Sequence, residues 1–124
     1  MKEVSLIIVL LLSFSCSNDD DLAVIAACDV DNPIQDLAWL RTEIQNREAN
    51  PTEDMKYCYI TAEIYENQTV FAYLDCNPLI DKAILFLNCE GEFLDGSSET
   101  VANLGERISQ TIIWKPRGFK CNLP

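Results

Sequence analysis

Histidine is absent from the 124 residues. That excludes Ser-His-Asp and Cys-His catalysis and every His-ligated metal or haem site. Positive charge is scarce: 9 Lys and Arg stand against 20 Asp and Glu, a formal net charge of −11. A nucleic-acid binder needs Lys and Arg to displace phosphate counterions, so no nucleic-acid partner is expected. No C-x-x-C pair occurs, which removes the usual signature of thioredoxin-like redox chemistry and of paired zinc knuckles. No internal repeat or low-complexity tract is present. The first apolar run, Val4 to Leu12, is broken only by Ser5 and is far shorter than the ~20 residues of a membrane-spanning helix. The chain length admits one domain and hardly two. Neither a cofactor nor a metal is expected.

That short apolar run fits the core of an export signal. It is followed by Leu12-Ser13-Phe14-Ser15-Cys16 and then by Ser17-Asn18-Asp19-Asp20-Asp21. Here the chain resembles bacterial lipoproteins, whose signals end in a small residue before a Cys that is lipidated and becomes the new N-terminus. Ser15-Cys16 matches that ending. Ile25-Ala26-Ala27-Cys28 is a second local match, but Asp19, Asp20 and Asp21 separate it from the apolar run. Carboxylates do not enter lipid cheaply, so Cys16 is the expected lipid site. The implied organisation is a signal peptide over 1–15, a lipid anchor and acidic tether over 16–27, and one domain over 28–124. The resemblance implies a membrane partner through diacylglyceryl and further acyl chains on Cys16, and placement at the bacterial outer membrane. Ser17 to Asp21 reads equally as a solvated spacer or as the acidic stretch of surface-displayed lipoproteins, which it resembles.

Five cysteines remain after Cys16: Cys28, Cys58, Cys76, Cys89 and Cys121. Export implies an oxidising compartment, so disulfides are the default. An odd number leaves one thiol over. The chosen pairing is Cys76–Cys89, at the ends of successive strands, and Cys28–Cys121, near the two ends of the domain. Cys58 is then free, and Cys58–Cys76 is the rival bond. With no His to activate it, a free thiol reads as a packed side chain rather than a nucleophile.

Asn32-Pro33 starts a helix, with Asn32 as N-cap, Pro33 in the first position and Gln35 in the capping-box position. Ile34, Leu37, Leu40 or Arg41, and Ile44 recur at helical spacing, and Asn50-Pro51 ends the pattern. Cys58, Ile60, Ala62 and Ile64 alternate with Tyr57, Tyr59, Thr61, Glu63 and Tyr65. Val70, Ala72, Leu74 and Cys76 alternate with Thr69, Phe71, Tyr73 and Asp75. Glu66-Asn67-Gln68 lies between, so the segment predicts a hairpin. A three-residue loop pairing 65 with 69 sets aliphatic residues opposite aliphatics, and this register is preferred. It also puts Tyr57, Tyr59, Tyr65, Phe71 and Tyr73 on one face. Ala83 to Cys89 predicts a third strand, Glu90-Gly91 a turn, and Glu92 to Leu94 a short return. Glu99 to Gln110 predicts a second helix and Thr111 to Trp114 a last strand. The expected fold class is α+β: an N-terminal helix on an antiparallel sheet of four to five strands, with a short helix before the last strand.

The Asn32-Pro33 helix with Leu37, Trp39 and Leu40, then Gln68-Thr69-Val70-Phe71, Asn88-Cys89-Glu90-Gly91 and Ile112-Ile113-Trp114, resembles a group of small Bacteroidota lipoproteins. That resemblance implies a domain of unknown function and no catalytic residues. Among the residues themselves, carboxylates are plentiful but nothing selects a catalytic pair. Asp29-x-Asp31-Asn32 offers oxygen ligands suited to Ca²⁺, yet lacks the Gly and distal Glu of an EF-hand loop. Asn67-Gln68-Thr69 is an N-glycosylation sequon that serves equally as a turn. Tyr57, Tyr59, Phe71 and Tyr73 are the candidate binding residues, because aromatics with polar tips suit protein interfaces or sugar stacking. The same aromatic face could instead pack inside the fold. Arg107, Lys115, Arg117 and Lys120 fall in a C-terminal stretch without acidic residues. That asymmetry could dock an anionic partner or fold onto the acidic domain itself. The expected function is a non-enzymatic, lipid-anchored envelope module that binds a protein or a glycan. The alternative is a hydrolase inhibitor presenting the loop Asp95 to Ser98.

Overall fold

A computed structural model describes residues 22, 24–105 and 111–123. The signal segment and the expected lipid site Cys16 lie outside the described residues, as does the end of the second expected helix. Before the first helix, Ala27 and Val30 exchange backbone hydrogen bonds of 3.0 and 3.1 Å. Cys28 and Asp29 between them both have positive φ, 56° and 62°. Asp29 is thus spent on a tight turn, and Asn32 on the helix start.

The helical region is interrupted. Helix α1 runs Pro33–Asp36, Leu37 is extended, and α2 runs Ala38–Ala49. Asn32 makes no side-chain cap; instead Asp36 Oδ2 accepts the Asn32 backbone N–H at 3.1 Å, so Asp36 fills the role expected of Gln35. The break has a packing reason. At about 100° per residue, Ile34 and Trp39 on one unbroken helix would sit roughly 140° apart. With the interruption, both pack against the same core cluster.

Strands β1 (Cys58–Tyr65), β2 (Gln68–Asp75), β3 (Leu85–Leu87) and β4 (Thr111–Trp114) form one antiparallel sheet in the order β3-β2-β1-β4. Together with the helices this is the expected α+β arrangement. The third strand is shorter than the apolar run that announced it. Its return is a single bridge, Leu87 to Phe93, closed by a turn in which Asn88 Oδ1 accepts the N–H groups of Glu90 and Glu92.

The hairpin register differs from the expected one. Tyr65 pairs with Gln68 and Ile60 with Tyr73, so the turn has two residues, Glu66 and Asn67. Both have positive φ, 49° and 61°, the type I′ geometry whose twist matches paired strands. The expected register assumed one buried face. In fact both faces are covered. Ile60, Ala62 and Phe71 pack with Leu40 and Ile44 of α2, while Val70, Ala72 and Phe86 pack with Leu104 of α3 (Glu99–Gly105). With a core on each side, no purely aliphatic face is required. Directly paired residues share a face, so Phe71 and Tyr73 lie on the α2 side with Ile60 and Ala62. Tyr59 and Tyr65 lie on the other side.

β4 carries a bulge. Ile60 pairs with Trp114 but Thr61 pairs with Ile112, leaving Ile113 as the extra residue. A bulge breaks strict alternation, and Ile113 and Trp114 both enter the α2-side core.

The bonded cysteines are the four expected, but their partners are exchanged. The bonds are Cys28–Cys89 and Cys76–Cys121, with Cα separations of 5.7 and 5.9 Å, and Cys58 is free. The reason is antiparallel geometry. Leu87 pairs with Phe71 and Leu85 with Tyr73, so the exit of β3 lies beside the start of β2. Cys76 follows the far end of β2, roughly 20 Å away along the strand. Cys28 sits at the near end, its N–H donating to Thr69 Oγ1 at 3.3 Å. Cys58 stands opposite Asp75 rather than Cys76, which disposes of the rival bond as well.

Candidate binding site

The four expected binding residues do not form one surface. Phe71 is fully buried, its ring edge-on to Trp39 at 5.3 Å. Tyr73 is half-buried beneath the Arg47 guanidinium at 4.6 Å and edge-on to Phe93. Burial, reinforced by the Glu43 carboxylate, pushes its hydroxyl up to about 12. Tyr59 lies on the opposite face against Phe119, and burial raises its hydroxyl too. Tyr57 belongs to the 3-10 turn Asp54–Tyr57, with Lys120 Nζ 5.5 Å from its ring centre. Their shared face in the expected register does not exist in the observed one.

Another arrangement emerges at the C-terminal end of α2. Asn50-Pro51 ends that helix, and Thr52 Oγ1 then accepts the Met55 N–H at 3.2 Å to start the 3-10 turn. Lys115 and Pro116 follow β4, and the proline stops the strand as the chain turns back past this turn. The Lys120 N–H donates to Lys56 O at 2.9 Å, and Cys121 is tied to Cys76, so the C-terminal segment is held against the turn. Between α2, the turn and this segment lies a cavity of about 390 Å³. Met55, Pro51, Pro116 and an edge of the largely buried Trp114 supply its apolar lining.

Its polar groups are mostly cationic. Arg47, Lys56 and Arg117 line it, with Glu48 as the lining carboxylate. Three of the chain's nine basic side chains thus meet at one cavity. Each is differently placed. Arg47 stands over Tyr73 and 5.6 Å from the Trp114 ring centre, and its Nε pairs with Glu43 at 2.7 Å. Lys56 pairs with Glu53, which lies outside the cavity and also receives Lys120. Hydrogen bonds from those two ammonium groups hold the Glu53 carboxyl below its ordinary range. Glu48 accepts the Trp114 indole N–H at 3.1 Å. Arg117 makes no ion pair among the described residues. A second depression of about 650 Å³ shares Pro116 and Arg117 on the other side of the segment.

The expected basic C-terminal stretch therefore splits in its roles. Lys120 folds onto the acidic domain at Glu53, Lys115 lies 5.6 Å from the Phe119 ring centre, and Arg117 borders both depressions. Arg107 lies outside the described residues. Arg47 and Lys56 were not singled out in the sequence, where they are two cations on polar surfaces. Their scarcity in so acidic a chain was the available signal.

The remaining candidates have local partners in the fold. Burial is the main influence raising the Cys58 thiol, and the Asp75 carboxylate adds to it. Such a thiol carries little thiolate and is a poor nucleophile. In the Asp95 to Ser98 loop, Asp95 Oδ1 accepts the Ser97 N–H at 2.9 Å, and Ser98 Oγ accepts the N–H of Val101 in the first turn of α3 at 3.2 Å. Asn67 of the sequon occupies the hairpin turn. No cluster of three or more His, Cys, Asp or Glu side chains able to hold a metal is found among the described residues. None of their helices is long and apolar enough to cross a membrane. No family model, curated protein or solved structure matches the chain.

Proposed function

We propose that this chain is a lipid-anchored protein of the bacterial outer membrane, held by Cys16, whose domain binds a glycan without transforming it. The observation that carries the binding reading is the cavity beside Trp114. Its volume of about 390 Å³ falls in the range of small-ligand sites, and apolar walls with a few convergent polar groups are their usual lining. The non-catalytic part of the reading is supported by the same residues. A carboxylate-pair mechanism needs two free acids, whereas the lining offers Glu48, already engaged by Trp114.

The anchor is supported by the order of apolar run, Ser15-Cys16 and acidic tether. It also agrees with the resemblance of these segments to bacterial lipoproteins, and with that of the domain segments to small Bacteroidota lipoproteins. A protein partner is a second reading, favoured by Phe93, which is 64% exposed, and by Leu85 beside it on the β3 edge. Hydrolase inhibition has the internally bonded Asp95 to Ser98 loop in its favour.

The test uses the full chain expressed in its leader-bearing form and purified from membranes in detergent. On an array of oligosaccharides the protein is expected to retain at least one saccharide class. Thr52→Trp, which fills the cavity from its exposed rim, is expected to abolish that retention. Retention unchanged by Thr52→Trp, or no saccharide retained at all, overturns the reading. In cells, Cys16→Ala is expected to release the protein from the membrane fraction. If the variant stays anchored, the lipid site is wrong.

A further inference from the structure

We infer that the saccharide taken by this cavity is an acidic one, bearing a carboxylate that Arg117 receives with support from Lys56. This rests on the glycan reading above and adds the charge of the ligand. Cations are the scarce resource of this chain, 9 against 20 acids. A solvated acidic surface has no need to gather three of them around one concavity. Arg47, Lys56 and Arg117 nonetheless converge there, with one lining carboxylate already hydrogen-bonded to the Trp114 indole.

Local pairing sets the charge that the cavity favours in a ligand. Glu43 compensates Arg47, and Glu53 compensates Lys56. Arg117 has no compensating carboxylate among the described residues. Glu48 keeps its charge, because the indole it accepts from is neutral, and Glu53 is shared with Lys120, so the four cations Arg47, Lys56, Lys120 and Arg117 face the three carboxylates Glu43, Glu48 and Glu53. The one positive charge left over matches a singly charged carboxylate better than a doubly charged phosphate monoester. Arg also presents a planar fork of donors that fits a carboxylate through two parallel bonds.

The placement is built rather than incidental. Gly118, next to Arg117, has positive φ (74°), and a Cβ there would lie 3.7 Å from Lys56 Cε. The Lys56 stem therefore packs beneath the turn that carries Arg117. The Lys120 N–H to Lys56 O bond and the Cys76–Cys121 disulfide tie the same segment to the C-terminal end of the 3-10 turn, where Cys76 N–H donates to Tyr57 O. Arg47 is fixed between two aromatic rings and Glu43, so the cavity wall loses little entropy when a ligand arrives.

Isothermal titration of the full chain in detergent distinguishes the outcomes. The probes are an oligogalacturonate, a neutral galactose oligomer of equal length, and galactose 6-phosphate. The oligogalacturonate is expected to bind at least ten-fold tighter than the neutral oligomer, and more weakly as salt is raised. Arg117→Gln is expected to reduce its affinity about ten-fold, the loss of one charge-assisted contact, and to erase most of the salt dependence. Arg41→Gln, on the exposed side of α2, is expected to change nothing. Equal binding of acidic and neutral oligomers overturns the inference and leaves the glycan reading standing. Tighter binding of galactose 6-phosphate overturns the carboxylate assignment. Failure of these probes together with an empty oligosaccharide array overturns both.

Discussion

Gly91→Ala tests the packing at the head of the sheet. Gly91 closes the turn after β3 with φ +77°, and a Cβ there would lie 2.6 Å from Trp39 Cδ2 and 2.7 Å from Cγ. Two costs combine. The left-handed conformation costs an L side chain about 1–2 kcal/mol, and forcing extra volume into a packed site adds about 1–3 kcal/mol. The obstacle is an indole ring, which cannot swing aside cheaply. Its Nε1 donates to Cys89 O at 2.8 Å, and its face meets Phe71 edge-on at 5.3 Å. A loss of about 3 kcal/mol is therefore expected, a large part of the stability of a small domain. In thermal melts that corresponds to a fall of roughly 12–24 °C. The assay is urea unfolding followed by tryptophan fluorescence, with both disulfides intact. Gly96→Ala is the control, because a Cβ there meets nothing within 4 Å, and it should stay within about 0.5 kcal/mol of the parent. A Gly91→Ala variant within 1 kcal/mol of the parent would refute the argued contact between turn and indole.

Two further outcomes are expected. Proteolysis without reduction should release a peptide joining Cys28 to Cys89. Replacing both by Ser should cost about 4 kcal/mol, from closure of a loop with sequence separation 61; a Cys76–Cys89 peptide would refute the topology. Lys82→Met should destabilise the domain at pH 7 by at most about 1 kcal/mol. Burial alone would raise the Asp75 carboxyl, but bonds from Lys82 and the Asn77 N–H hold it below its ordinary value. A depressed carboxyl contributes stability above the unfolded value of about 3.9 and loses it as pH falls through the folded value. The difference between variant and parent should therefore shrink below about pH 4. A gap that stays constant down to pH 2 would refute the pairing.

The aromatic residues show where reading the strands one face at a time misleads. Alternation in Tyr57 to Tyr65 and Thr69 to Cys76 located both strands within a residue or so. It could not say that α2 covers one face and α3 the other. With two covers, Ile60 and Phe71 satisfy one core and Val70 and Phe86 the other. The shorter turn then wins, and Tyr59 is separated from Tyr73. The disulfide partners were closer to reach. Once β3 is taken as antiparallel to β2, Cys89 must return to the end where β2 begins. The cavity was least visible, because Arg47, Lys56 and Arg117 are distant in sequence and meet only where Pro116 and Cys121 turn the tail back.

By itself the sequence determined what is local. Period-two alternation located the hairpin strands, Asn50-Pro51 the end of α2, and Thr111 to Trp114 the last strand. Composition set the charge and the absence of His-based chemistry. Only the tertiary structure decided register, disulfide partners, the break at Leu37 and the gathering of cations beside Trp114. Each of those depends on which surfaces a strand or helix finds opposite itself. That is a non-local competition for burial, and one-residue shifts change the faces that meet without changing the local pattern.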